Sequence, residues 1–529
     1  LIACANVATL LLARAAGRQR ELSMRRAVGA TRGRLVQQML TESVVIALAG
    51  GAAGLLLAAW SLAAFRAIAP SQFAGLPGLA GIGLDGRAFA AAVALSMITG
   101  LTFGVVPALA ATDQRLGASL TEEARGGTGS ARARRLRSML IVAELALSLV
   151  LLAGAALLIV SFRNLMSVSP GFQPMRIVTA EVRLPSSRYA DHTRTVAFFD
   201  ALFERLRAAP GVERVDATTS LPFAGADSRL NFQIERRTVD SPVPVRVHPR
   251  LVSSGYFSTM GIPIVRGRGF TDRDEAASTE VVVINQAAVR RYWPGEDPIG
   301  QRISIGAPGR WREIVGIVGD TRHEGLDADA DPAAYVPQHQ RFTDLGAGFE
   351  RAMTLVVRTD ADAAAMTAAI RGAVANLDAQ LPIGMVRAMT DLIDESVAPR
   401  RLNFLLVSSL AAVALVLTAA GLYGVMAYVV AQRTREIGVR MALGATHAQV
   451  LALMFRQAGA LTAIGIGLGV GGALVLTRSM TSLLFGVTAG DPLVFAAVSA
   501  LLALVAAAAV AVPSSRAARI DPLAALREP

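Results

Sequence analysis

The sequence predicts an α-helical polytopic membrane protein with a large α/β domain inserted between its spanning helices. Apolar runs of about twenty residues recur along the chain, long enough to cross a hydrocarbon core. One long stretch between them switches to short alternating segments and amphipathic helices, the pattern of a folded domain outside lipid. Of 529 residues, 53% are hydrophobic and only 17% charged, too apolar for an ordinary soluble enzyme. The net charge of +12 gathers as arginine in loops between apolar runs, which reads as membrane orientation and not as nucleic-acid binding.

Hydropathy places spans near 1–13, 35–65, 88–112, 138–162, 401–430, 449–477 and 493–512. The loop between the first two carries Arg14, Arg18, Arg20, Arg25, Arg26, Arg32 and Arg34 against the lone acid Glu21, so the positive-inside bias puts it in the cytoplasm. Alternation then puts 66–87 outside, the Arg-rich 113–137 inside, 163–400 outside, and both 431–448 and the tail 513–529 inside. Arg433, Arg435, Arg440, Arg516 and Arg519 agree with that topology. The chain divides into a first three-helix module (1–112, its first helix truncated), a cytoplasmic linker (113–137) and a single span (138–162). An extracytoplasmic α/β domain (163–400), a second three-helix module (401–512) and a cytoplasmic tail (513–529) follow. Because Leu1 opens inside an apolar run, an N-terminal part is expected to be missing.

In the α/β domain, 177–182, 281–284 and 314–318 read as strands, and 193–208 and 363–377 as amphipathic helices. Trp293-Pro294-Gly295 and Gly261-Ile262-Pro263 mark turns. His192, His248 and His323 are scattered without metal-ligand spacing, and Asp272, Asp274 and Glu275 read as a solvated turn. Ser228 and Ser253-Ser254-Gly255 lack the setting of a hydrolase nucleophile, and the pairs Tyr256-Phe257 and Tyr292-Trp293 read as core.

The chain contains no lysine, so it cannot hold a Walker A loop, and ATP hydrolysis is expected only from a separate partner. Its single cysteine, Cys4, permits no internal disulfide. No catalytic or metal-binding residues are expected, and the chain is read as a non-enzyme that binds no cofactor of its own. Few ionisable groups fall in the spans; Glu42 and Glu144 are the exceptions, near span ends where snorkelling or pairing with an arginine explains them.

Internal repetition is the most informative feature. Arg18-Gln19-Arg20-Glu21-Leu22-Ser23-Met24-Arg25-Arg26-Ala27-Val28-Gly29-Ala30-Thr31 matches Arg433-Thr434-Arg435-Glu436-Ile437-Gly438-Val439-Arg440-Met441-Ala442-Leu443-Gly444-Ala445-Thr446 with the same internal spacing. Asp85 to Phe89 likewise resembles Asp491 to Phe495. Four spans separate the two basic loops, so the copies run the same way through the membrane, about a pseudo-twofold axis along its normal. Each loop reads as a short amphipathic surface helix ended by Gly29 or Gly444. Thr31 and Thr446 follow as caps of the next helix, and Thr446 with Gln449 makes a capping-box pattern that Thr31 with Arg34 does not. The charges of each loop suit charge-assisted bonds to a cytoplasmic partner or to lipid headgroups. Gly50/Gly54, Gly100/Gly104, Gly465/Gly469 and Gly467/Gly471 are small residues four apart, a spacing that lets helices pack closely.

Residues 433–445 resemble the cytoplasmic loop of the FtsX/MacB-type ABC transporter permeases. Tyr256-Phe257-x2-Met260-Gly261-Ile262-Pro263, Gly267-Arg268-x-Phe270, Val283-Ile284-Asn285, 293–300 and 315–320 resemble that family's periplasmic core domain. The resemblance covers essentially the whole chain and implies two FtsX-like transmembrane modules in parallel orientation, with a MacB-like periplasmic domain between them. It implies a multi-pass protein of the bacterial inner membrane whose partners are a cytoplasmic ABC ATPase, holding ATP and magnesium, the lipid bilayer, and a periplasmic adaptor or hydrolase, but no nucleic acid. It also implies mechanotransmission: the ATPase pushes on Arg18, Arg20, Glu21, Arg25, Gly29, Arg433, Arg435, Glu436, Arg440 and Gly444, and the motion reaches the periplasmic domain. The rival classes are an ion-driven secondary transporter, which the ion-poor spans disfavour, and a non-transporting scaffold or sensor acting on a periplasmic enzyme.

Overall fold

The computed structural model describes residues 24–25, 31–68, 83, 85–112, 128–225, 227–236, 246–306, 309–342, 348–432, 443 and 446–518. Two compact units emerge, Leu1–Asn164 with Arg400–Pro529, and Leu165–Pro399. Among the described residues the first holds, before the second unit, helices α1 (Arg32–Ile68), α2 (Gly86–Thr112) and α3 (Thr128–Met166). Asp85 starts α2 by accepting the Ala88 N–H at 2.8 Å, satisfying one of the donors that a helix N-terminus leaves free.

The second unit is a mixed sheet with helices. Strands β1 (Ile177–Arg183), β2 (Val212–Thr218), β3 (Leu230–Ile234) and β4 (Arg246–Val252) are joined by helix α4 (His192–Arg207) and loops. Helix α5 (Tyr256–Met260), β5 (Ile264–Gly267), β6 (Val281–Asn285), helix α6 (Gln286–Tyr292), β7 (Arg302–Ile305), β8 (Arg312–Val318) and β9 (Ala333–Pro337) follow. Then come β10 (Ala352–Thr359), helix α7 (Ala363–Leu377) and β11 (Ile383–Ala388).

Strands β1, β2, β10 and β11 form an all-antiparallel sheet in the order β11-β1-β10-β2. With α4 and α7 after its first and third strands this is a split βαβ arrangement, and the segment from β3 to β9 is inserted between its halves. The buried face of α4 (Phe198, Phe199, Leu202, Phe203, Leu206) and that of α7 (Met366, Ile370, Val374) share one apolar cluster with Val178, Ala180, Val182, Leu355 and Val357. In the inserted segment β4-β3-β7-β8-β6-β9 pair in succession, and β9 returns to pair in parallel with β4, so the strands close on themselves. A second apolar cluster draws on all of these strands and includes Tyr292 and Trp293. Tyr256 and Phe257 are buried too, in a third cluster, as the sequence leads one to expect of both aromatic pairs. Gly261 ends α5 at φ +70, where any side chain would also meet Gln173 within 2.9 Å.

The first unit resumes with α8 (Met389–Gln432), α9 (His447–Arg478) and α10 (Pro492–Ala518). Asp491 starts α10 by accepting the Leu493 N–H at 2.9 Å, as Asp85 starts α2. Among the described residues, five helices are long and apolar enough to cross a membrane: Gly33–Ala63, Ser138–Met166, Met389–Ala427, Leu451–Arg478 and Pro492–Ser515. In α2 the qualifying apolar stretch is the shorter Gly86–Ile98, and the span expected at 1–13 lies outside the described residues. Helices α3, α8, α9 and α10 share one apolar cluster from Ile141 to Val510. Within it the buried hydroxyls of Ser148 and Thr418 hydrogen-bond at 2.5 Å, tying α3 to α8 where lipid offers no alternative partner.

Candidate functional site

Of the residues expected to couple the chain to an ATPase, Arg18, Arg20, Glu21, Gly29, Arg433, Arg435, Glu436, Arg440 and Gly444 lie outside the described residues. Arg25 is described and exposed. Its guanidinium Nη1 donates to Gln38 Oε1 at 2.9 Å, and Gln38 Nε2 donates to Glu42 Oε1 at 3.3 Å, so Arg25 is tied to the N-terminal part of α1. Glu42 therefore takes part in an arginine-linked network, while Glu144 is buried in α3 and does not snorkel outward. In the repeat, Leu453 stands where Gln38 stands, so this tie cannot recur in the second copy. The second copy has instead the capping box: Gln449 N donates to Thr446 Oγ1 at 3.4 Å and Thr446 N donates to Gln449 Oε1 at 2.9 Å. The helices α1 and α9 are thus held near their starts by different bonds.

Of the glycines spaced four apart, Gly50, Gly54, Gly465 and Gly469 fall into two settings. Gly465 and Gly469 of α9 lie against α3; a Cβ on the first would stand 2.6 Å from Leu145 Cβ, and on the second 2.9 Å from Leu149 Cβ. Among the described residues, Gly50 and Gly54 of α1 are exposed and have no heavy atom within 4 Å of where a Cβ would stand. The close contact of α1 with α2 is made by neighbours instead: Gly51 against Ser96, and Gly100 against Ala47 and Ser43. Gly467 and Gly471 also face open space.

The α/β unit holds a buried charge cluster that the sequence reading missed. Asp227 Oδ2 accepts from Arg250 Nη2 at 2.5 Å and Nε at 3.1 Å, and Asp227 Oδ1 accepts from Ser220 Oγ at 2.7 Å. His248 Nδ1 lies 3.2 Å and His323 Nδ1 3.6 Å from the same Asp227 oxygen. Arg250 Nη1 reaches the Tyr335 hydroxyl at 3.1 Å, and Arg229 Nε reaches His248 Nε2 at 3.0 Å. Far from being scattered, His248 and His323 are thus drawn together by the closure of β4 on β9, while His192 sits apart on Glu350. Periodicity could not show this, since strand pairing between distant segments brings the groups together.

Burial alone would push the Asp227 carboxyl up, but the hydrogen bond with His248 and the Arg250 guanidinium outweigh it and hold the carboxyl well below its usual range. Burial and Arg250 hold His323 well below its ordinary value, so its ring is neutral. A guanidinium in the middle of the cluster repels a cation, and among the described residues no group of His, Cys, Asp or Glu is arranged to hold a metal. The cluster locks strands and loops together; it presents no nucleophile to solvent. Asp274, read from sequence as part of a solvated turn, is also buried: it takes a two-pronged bond from Arg268 at 2.7 and 2.9 Å and the Thr271 N–H at 2.8 Å.

Comparison with known proteins accounts for most of the chain. Residues 139–373 match the family described as MacB-like periplasmic core domain, and residues 1–115 and 408–522 both match the family described as FtsX-like permease C-terminal. Over 293 residues the chain is 28% identical to a macrolide export ATP-binding/permease protein MacB of Hahella chejuensis, covering 54% of this chain and 43% of that protein. Over 285 residues it is 29% identical to a pyoverdine export ATP-binding/permease protein PvdT of Pseudomonas aeruginosa, covering 50% and 40%. Over 424 residues it is 24% identical to the uncharacterized ABC transporter permease YknZ of Bacillus subtilis, covering 77% of this chain and 99% of that one. The chain spans less than half the length of the first two relatives.

Proposed function

We propose that this chain, which belongs to the FtsX/MacB-type ABC transporter permeases, is the permease subunit of an ABC complex whose ATPase is a separate polypeptide. The observation that carries the reading is the double match of the FtsX-like model at 1–115 and 408–522, each copy containing the same Arg-x-Arg-Glu loop before a spanning helix. On this reading the two modules are parallel repeats in the bacterial inner membrane, the basic loops face the cytoplasm, and Leu165–Pro399 lies in the periplasm. The ATPase binds ATP and magnesium, closes, and pushes on Arg18–Gly29 and Arg433–Gly444; the chain itself binds no nucleotide. Ion-poor spans and helix contacts without bulky side chains at Gly465 and Gly469 suit bodies that move as units rather than a polar pathway through lipid.

The names of the relatives support export as the direction of work. A periplasmic adaptor or hydrolase would receive the motion on the outer side. Co-isolation of the full-length protein from native membranes tests the reading: a nucleotide-binding subunit should accompany it, and its consistent absence would refute the proposal.

A further inference from the structure

Arg229 bridges a histidine and two carboxylates at the rim of the buried cluster. Its Nε donates to His248 Nε2 at 3.0 Å, and its Nη2 donates to Glu324 Oε1 at 3.2 Å and to Asp331 Oδ2 at 3.3 Å. A ring nitrogen that accepts a bond carries no proton, so while this bond is made the ring proton sits on Nδ1, which faces Asp227 Oδ2 at 3.2 Å. His248 Nε2 and Asp331 Oδ2 are themselves only 3.6 Å apart, with Arg229 bonded to both. The backbone fixes that separation: His248 N donates to the Pro332 carbonyl at 2.9 Å, and Asn285 Nδ2 donates to the Asp331 carbonyl at 2.8 Å.

We propose that this junction is an acid-operated latch, in which a proton taken up at His248 Nε2 displaces Arg229 and the imidazolium takes Asp331 in its place. Protonation turns the 3.0 Å contact into one between two N–H donors, which cannot persist, while Asp331 Oδ2 offers an acceptor within a side-chain adjustment of the same nitrogen. Arg229, half-exposed, swings into solvent and gives up Glu324, so the start of β3 is unfastened from the connection between β8 and β9. Around the ring, Asp227 and Asp331 favour the imidazolium and Arg229 and Arg250 oppose it, so the departure of Arg229 removes an opposing cation. The Tyr335 hydroxyl accepts from Arg250 and adds no charge. His323, also beside Asp227, does not compete for the proton: burial and Arg250 keep its ring neutral, and among the described residues neither of its nitrogens has a hydrogen-bond partner. With Leu165–Pro399 in the periplasm, as proposed above, the latch answers to acidity on the outer side of the membrane.

Solid-state NMR of the full-length protein in lipid bilayers, isotope-labelled in histidine and aspartate and titrated from about pH 8 to about pH 5, tests the latch. Signals lost in His248→Gln identify the ring, or, should that variant not fold, signals that survive replacement of the other histidines. At the alkaline end Nδ1 should carry the proton and Nε2 none. On acidification Nε2 should gain one, and its dipolar contact with the Asp331 carboxyl carbon should strengthen. Because Arg229 and the proton compete for Nε2, Arg229→Leu should raise the proton affinity of the ring roughly tenfold, and Asp331→Asn should lower it by a similar factor. A proton on Nε2 at about pH 8, a ring that stays neutral down to about pH 5, or an affinity unmoved by either variant would overturn the proposal. The readout lies within the α/β unit and needs no ATPase, so its failure would leave the proposed coupling untouched.

Discussion

Gly465 packs so closely on Leu145 that a methyl group at Gly465 would stand 2.6 Å from the leucine Cβ, well inside any tolerable contact. Four residues on, Gly469 repeats the arrangement with Leu149. The α3–α9 contact is therefore set by the lack of side chains on one helix.

Gly465→Leu should accordingly separate α3 from α9 and lower the stability of the solubilised protein by about 1–3 kcal/mol, the usual cost of overpacking. Gly467→Leu, facing open space, should leave the melting temperature unchanged. Thermal denaturation in detergent of the two variants beside the parent makes the comparison.

The Asp227–Arg250 pair is buried on both sides, each side chain 2% exposed. Arg250→Met alone strands a buried carboxylate and should cost about 3–5 kcal/mol, whereas Arg250→Met with Asp227→Leu should recover much of that loss. Hydrogen exchange across Arg246–Val252 and Ala333–Pro337 should report both effects, since the pair links these strands to the loop at Asp227.

Acid should loosen the same strands. His323 is held below its ordinary value of 6.5, so the unfolded chain binds more protons there, and the stability it contributes is complete above 6.5 and lost as pH falls through the lowered value. Asp227, also held low, adds a further loss below its ordinary 3.8. His192 and His339 are raised by Glu350 and Asp200 and act in the opposite sense, their contribution present below 6.5 and lost as pH rises. His323→Asn should thus flatten the increase in exchange of β4 amides as pH falls below 6.5.

Thr446→Ala removes the hydroxyl half of the capping box and should destabilise the start of α9 by about 1 kcal/mol. Faster exchange confined to the first turn of α9 would be the signature.

The parts of this structure legible in sequence are those encoded locally. Hydropathy placed α1, α3, α8, α9 and α10, because a span is a single contiguous run. The helix expected at 363–377 is α7 residue for residue, with Asp362 capping it through the Ala365 N–H at 2.6 Å. The capping box at Thr446 was readable because its partners are three residues apart. What escaped depends on which distant segments meet. The parallel pairing of β4 with β9 leaves no periodic trace, so neither the closed ring of strands nor the meeting of His248 with His323 at Asp227 could be read. Glycine spacing showed that close packing was possible in both repeats, but only the partner helix distinguishes Gly465 from Gly50.

The central claim is that the duplicated basic loops receive force from an ATPase, and ATP turnover by the complex isolated with the full-length protein tests it most directly. Glu436→Ala with Arg440→Ala should abolish co-isolation of the ATPase or its stimulation by the permease while leaving membrane insertion intact. Unchanged complex formation together with unchanged ATPase stimulation in that double variant would contradict the account.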